Sequence, residues 1–189
     1  MDFLEKDLET IIYETAQNKE GRMKLSERGL DIQGKLLRQV RIGAYGIADL
    51  ITVEINRYND SKHINITIYE LKKGALNLDA LTQASRYETG IRSFIKQNYY
   101  DEDSHYLTVN IILIGRNVEY NSDFLFLLNK CMDSGDVGVY TYSYDIDGLK
   151  FDRQYSGWSL TEEVFGPLVA DFHKIGFADV KQMLGALDK

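Results

Sequence analysis

The chain has 189 residues, of which 44% are hydrophobic and 27% charged, and its formal net charge is −7. That length and balance fit one soluble domain with a core of its own, and they exclude a basic nucleic-acid coat protein and a low-complexity chain. A lone cysteine, Cys131, excludes an internal disulfide framework and a cysteine-built zinc cluster. No run of 18 apolar residues occurs, so no membrane-spanning helix is expected. The start, Met1-Asp-Phe-Leu-Glu-Lys-Asp, has neither a basic region nor an apolar stretch. It does not read as a signal peptide, and a cytoplasmic location is expected.

In chain order, residues 3–17 read as a helix. Phe3, Leu4, Leu8, Ile11, Ile12 and Thr15 recur on one face at helical spacing. Residues 18–33 are polar and punctuated by glycine, which predicts a loop with a short helix. Three strands are then expected, over 35–42, 46–56 and 63–73. Gly43-Ala-Tyr-Gly46 is a tight turn between the first two; no lysine-serine or lysine-threonine pair follows to make it a phosphate loop. Asn77 is placed to cap a helix over 78–97, with Asp79 in its first turn. Residues 106–115 form a largely apolar, β-prone run, as in a buried central strand. An apolar helix over 122–132 follows, then a strand over 137–144. Asp147-Gly148 turns the chain back into 149–154. Two short helices, near 161–173 and 177–187, end the pattern. Strands followed by a helical crossover into another strand predict a mixed sheet with helices on both faces.

Two of these strands carry charge where a strand should be apolar. Asp49 interrupts the row Ile47, Ile51, Val53, Ile55, and the row Ile64, Ile66, Ile68 ends in Glu70 and Lys72. Residues two apart share a face, so Glu70 and Lys72 point the same way and Lys73 the other. If the hairpin between the strands centres on Asn59–Asp60, residues whose numbers sum to 119 oppose each other, and Asp49 and Glu70 do so. Opposed side chains lie about 4.5–5.5 Å apart, and two like charges at that spacing call for a cation between them. Carboxylate oxygens favour Mg²⁺ or Mn²⁺ over zinc. Such an ion beside Lys72 suits metal-assisted hydrolysis of a phosphodiester; Lys72 would orient or deprotonate the water, the latter only with a depressed pKa. Arg38, Arg41, Lys72, Lys73, Arg86, Arg92 and Arg116 are the local positive charges available to a phosphate backbone.

The order of elements and the residues Asp49, Glu70-Leu71-Lys72 resemble the PD-(D/E)xK nuclease superfamily. The likeness is strongest to the catalytic domain of the endonuclease NucS and its stand-alone relatives. It is carried by Leu4-Glu-Lys-Asp-Leu-Glu-Thr-Ile-Ile, Arg38-Gln-Val-Arg-Ile-Gly-Ala-Tyr-Gly-Ile-Ala-Asp-Leu, Tyr69-Glu-Leu-Lys-Lys-Gly and Gln83-Ala-Ser-Arg-Tyr. The resemblance implies an α/β, restriction-endonuclease-like αβββαβ core over about 3–116, with C-terminal α/β additions over about 117–189. It implies a Mg²⁺- or Mn²⁺-dependent deoxyribonuclease, endonuclease or exonuclease, leaving a 5′-phosphate. Asp49 and Glu70 would bind the metal and Lys72 would be the catalytic lysine. Glu5 would be the acid that the superfamily often adds from its first helix, with Glu9, one turn on, as its competitor. Gln83 and Tyr87 match a Gln-x-x-x-Tyr pair, and Lys73 and Arg41 would stand with them at the site edge or on DNA. Ala48 replaces the motif's proline, a change that does not touch the chemistry. No counterpart of the amino-terminal DNA-binding domain of full-length NucS is seen, so a separate DNA-targeting partner is one expectation and a homodimer that cuts both strands another.

Two rival readings stand beside this one. The first is a non-catalytic nucleic-acid-binding or protein-interaction module that keeps the fold. The second is an unrelated α/β protein with a chance motif. His63, His105 and His173 have no metal-ligand spacing and read as surface or capping residues. Cys131 is expected to be buried, the tyrosines near 99–100 and 140–144 to be packing residues, and Trp158 to anchor the C-terminal segment.

Overall fold

The computed structural model describes residues 5–58, 61–98, 105–119, 122–133 and 137–154. Two helices open it, α1 (Glu5–Thr15) and α2 (Lys19–Glu27). Asn18 starts α2 by accepting the Gly21 N–H on its Oδ1 at 2.9 Å, as an N-cap does. Strands β1 (Lys35–Arg41), β2 (Ile47–Tyr58) and β3 (Ser61–Leu71) follow, with a single 3₁₀ turn at Gly43–Tyr45 between the first two. A two-residue strand β4 (Ala75–Leu76) leads into α3 (Leu78–Asn98), which Asn77 caps through the Ala80 N–H at 3.1 Å. Next come β5 (His105–Gly115), β6 (Asn117–Val118), α4 (Ser122–Asp133), β7 (Val137–Asp145) and β8 (Gly148–Gln154).

The long strands form one mixed sheet in the order β1-β2-β3-β5-β7-β8. β3, β5 and β7 run parallel, and the remaining neighbours pair antiparallel. The parallel pairs are joined through α3 and α4, since a parallel connection needs a crossover. β4 and β6, too short to show in a hydrophobic pattern, form a separate two-stranded ladder. The β2–β3 hairpin has the expected register: Leu50 faces Tyr69, Ile51 faces Ile68, and Tyr58 faces Ser61. The architecture is α/β with a mixed central sheet, as the periodicity predicts.

Alternation along the strands builds a core on each face. Ile64, Ile66 and Ile68 of β3 and Val109, Ile111 and Leu113 of β5 pack with α3 and α4. Tyr69, Leu71 and Ile114 pack on the other face with Leu8 and Ile12 of α1. Ile68, Leu71, Leu113 and Ile114 are fully buried, and such side chains contribute about 1.5–3 kcal/mol each. The outer edge at β8 is met by the chain leaving α2: the Arg28 carbonyl accepts the Phe151 N–H at 2.8 Å, and Arg28 Nε donates to the Leu149 carbonyl at 2.7 Å.

Some expectations shift. Cys131 is only partly buried, against the α3–α4 core. His63 is neither a cap nor a simple surface residue; its ring stacks on Tyr106, centroid to centroid at 4.8 Å. The helices expected near 161–173 and 177–187, Trp158 and Tyr99–Tyr100 lie outside the described residues. Among the described residues, no helix is long and apolar enough to cross a membrane.

Candidate active site

The charged residues meet at the end of the sheet where β2 begins and β3 ends. The β2–β3 ladder stops at Leu50–Tyr69, one step before Asp49 would oppose Glu70. In place of another backbone acceptor, Asp49 Oδ2 takes the Leu71 N–H at 3.0 Å. The carboxylate therefore lies near the plane of the sheet. On the other side of β2, the β1 ladder pairs Arg38 with Leu50 and Val40 with Ala48, and the pair between them, Gln39 and Asp49, is skipped. Gln39 has φ +52, in the left-handed region. The strict alternation expected through Asp49 fails at this point. Leu36 and Leu50 belong to the α1-side core, whereas Val40 and Ala48, of the same parity, pack on the α3 side. Both strands change faces together at the Gln39–Asp49 step.

Glu70 is fully buried. Its Oε1 accepts from Lys72 Nζ at 2.5 Å, and its Oε2 is buried without a hydrogen-bond partner. A buried carboxylate oxygen with no donor is costly, on the order of 1–3 kcal/mol or more when charged. Burial, followed by the field of Asp49, pushes the Glu70 carboxyl up to about 7, against the opposing pull of Lys72. Burial also raises Asp49, to about 6; the Leu71 N–H opposes this and Glu5 adds to it. For Lys72, burial works against the ammonium, but Glu70, Glu5 and Asp49 together outweigh it and hold the pKa above the ordinary lysine value. The direction is opposite to the depression that a lysine base requires.

The two helix acids separate. Glu5 Oε1 lies 3.8 Å from Lys72 Nζ. Glu9 is buried and takes hydrogen bonds from Arg38 Nε and Gln39 Nε2. Arg38 also donates to Thr10 Oγ1 at 2.9 Å and lies over the Tyr13 ring. Arg38 therefore serves Glu9 and α1, not a phosphate backbone as its charge alone suggested. The field of Glu9 adds to the upward shift of Asp49.

Tyr87 of α3 is 2% exposed, so its ring belongs to the core. Its hydroxyl still reaches the site edge, donating to the Ile47 carbonyl at 2.7 Å and accepting from Gln83 Nε2 at 2.7 Å. Gly46, with φ +121, lets the turn before β2 approach: a Cβ there would meet Tyr87 Cε1 at 2.9 Å. Lys73 and Arg41 are exposed, at the ends of β3 and β1 nearest the acids. Tyr142 of β7, which no sequence pattern singled out for this role, fixes the chain after Lys72 by donating to the Lys73 carbonyl at 2.7 Å.

Among the described residues, no group of three His, Cys, Asp or Glu side chains is arranged to hold a metal ion as it stands. The donor set nevertheless suits a hard divalent cation. Mg²⁺ is commonly held by one or two carboxylates with water completing the shell, and Asp49 and the orphaned Glu70 Oε2 are the carboxylate groups that would be available to one. Four acids, Glu5, Glu9, Asp49 and Glu70, face two cations, Arg38 and Lys72, an excess of −2 when all are ionised. Comparison of the chain with family models, with curated proteins and with solved structures finds no match.

Proposed function

We propose that this protein is a Mg²⁺- or Mn²⁺-dependent deoxyribonuclease of the PD-(D/E)xK type, hydrolysing phosphodiester bonds. The observation that carries this reading is the buried, partnerless Glu70 Oε2 beside Asp49 and Lys72. An oxygen left in that state fits a ligand position better than a structural one. Asp49 and Glu70 would hold the cation. When bound, the cation would polarise a phosphoryl oxygen and make its water acidic enough to attack.

The remaining groups have roles that follow from their places. Lys72, kept positive by Glu70 and Glu5, stabilises negative charge developing on the phosphate and orients the attacking water. Glu5 steers the ammonium from the side of α1. Tyr87 and Gln83 brace the first residue of β2 through the Ile47 carbonyl, two residues before Asp49. Lys73, Arg41 and Arg86, all exposed, supply the positive charge for the DNA backbone against a net charge of −7. Additional DNA affinity would come from a second copy or a separate targeting partner.

The test is cleavage of single-stranded, duplex and branched DNA with Mg²⁺ or Mn²⁺, by wild type, Asp49→Ala and Lys72→Ala. Metal-dependent cutting by wild type and its loss in both variants is expected. No cutting on any substrate, together with no Mn²⁺ binding, would overturn the proposal in favour of a non-catalytic module.

A further inference from the structure

The residue at the break in β1 is not one that the proposed chemistry uses. Gln39 has φ +52 although it is neither glycine nor asparagine, the residues that adopt this region most easily. Such a conformation persists only where its surroundings enforce it. Here the enforcement is visible: the Gln39 amide is tied to buried Glu9, which Arg38 also holds. The consequence is visible too. By register Gln39 is the residue that would face Asp49, yet that pair alone is missing from a ladder that runs from Lys35–Val53 to Arg41–Ile47. On either side of the gap, both strands present opposite parities to the two cores. An unbroken β1 would keep Asp49 in strict alternation with Ile51, pointing into the α3 core. With the break, Asp49 reaches the Leu71 N–H instead.

We infer that Gln39 is a positioning residue for the cation site: its left-handed turn switches the face of β2 and so turns the Asp49 carboxylate out of the α3 core and into the sheet plane, where the Leu71 N–H holds it. This inference rests on the proposed reading of Asp49 and Glu70 as cation ligands. Glu9 and Arg38 have a matching part, since they hold the amide that keeps the turn in place.

Substitution at Gln39 separates backbone from side chain. Gln39→Gly removes the amide but accepts positive φ freely; Gln39→Val removes the amide and favours an extended strand. Gln39→Ala carries the same test in a milder form should the valine variant not fold. The readouts are Mn²⁺ affinity by calorimetry and the melting temperature, with Asp49→Ala as reference. We expect Gln39→Gly to bind Mn²⁺ within about threefold of wild type, Gln39→Val to bind at least tenfold more weakly, and Gln39→Ala to fall between. A purely structural role would lower the melting temperature of Gln39→Val and leave its Mn²⁺ affinity at the wild-type value; that result overturns the inference while leaving the cation site intact. Equal loss in the glycine and valine variants also overturns it, because the turn would then not be the cause. Wild type that binds no Mn²⁺ at all overturns the proposed reading and this inference with it.

Discussion

Asp49 and Glu70 are placed by register to face each other, yet the ladder ends one pair short of them and Asp49 hydrogen-bonds the Leu71 N–H instead. Two carboxylates brought together this way, one of them fully buried with a partnerless oxygen, destabilise the cation-free protein. Neutral isosteres remove that cost. Asp49→Asn and Glu70→Gln are each expected to stabilise the cation-free protein by on the order of 1–3 kcal/mol at pH 7.5, measured by urea unfolding. The same variants should cut no DNA.

The pH dependence follows with a definite sign. The folded-state carboxyls of Asp49 and Glu70 are raised to about 6 and about 7 from ordinary values of 3.8 and 4.5. In that window the folded state binds more protons than the unfolded state, so stability falls as pH rises. These groups contribute fully below about pH 4, and their contribution is lost by about pH 7. The melting temperature of cation-free protein should therefore fall between pH 5 and pH 8 by several degrees, and less so in Glu70→Gln. Mn²⁺ affinity should move the opposite way, weakening as pH drops below about 6, where both ligands carry protons.

Lys72 is held as a cation, with its ammonium 2.5 Å from Glu70 Oε1. A group that works by charge tolerates replacement by arginine better than one that works as a base. Lys72→Arg should retain measurable cleavage. Lys72→Met should lose about 10²–10⁴-fold, with the loss in kcat. Single-turnover cleavage at saturating Mn²⁺ checks both. Equal, complete inactivity of the two variants would speak for proton transfer by the lysine.

The brace between α3 and β2 is testable by stability alone. Tyr87→Phe removes the bond to the Ile47 carbonyl and should cost about 1 kcal/mol. Gly46→Ala should cost more, because it adds a methyl against Tyr87 at a φ of +121. Thermal or urea unfolding ranks the two.

Much of the architecture is legible in the residues. Ile64, Ile66 and Ile68 alternate cleanly, the hairpin takes the register centred on Asn59–Asp60, and the apolar run ending at Gly115 becomes β5, inside the sheet. That register brings Asp49 to the end of β3 that carries Glu70 and Lys72, but the direct Asp49–Glu70 pair it implies is not formed. What is not legible depends on contacts between distant segments. The resemblance offered both Glu5 and Glu9; only the packing of α1 on β1 gives Glu9 to Arg38 and leaves Glu5 beside Lys72. Gln39 has no sequence signal, since glutamine is a poor choice for positive φ and the residues around it read as an ordinary strand. Tyr142 reaches the Lys73 carbonyl across 69 positions of sequence, and no local pattern encodes that.

The proposed function stands on the orphaned oxygen of Glu70, with Asp49, acting as a cation ligand. Calorimetric titration of Mn²⁺ into wild type, Asp49→Asn and Glu70→Gln at pH 7.5 tests it most directly. One saturable site is expected in wild type, with at least a tenfold loss of affinity in each variant, both of them folded. Wild-type protein that takes up no Mn²⁺, or variants that bind it as wild type does, would contradict it.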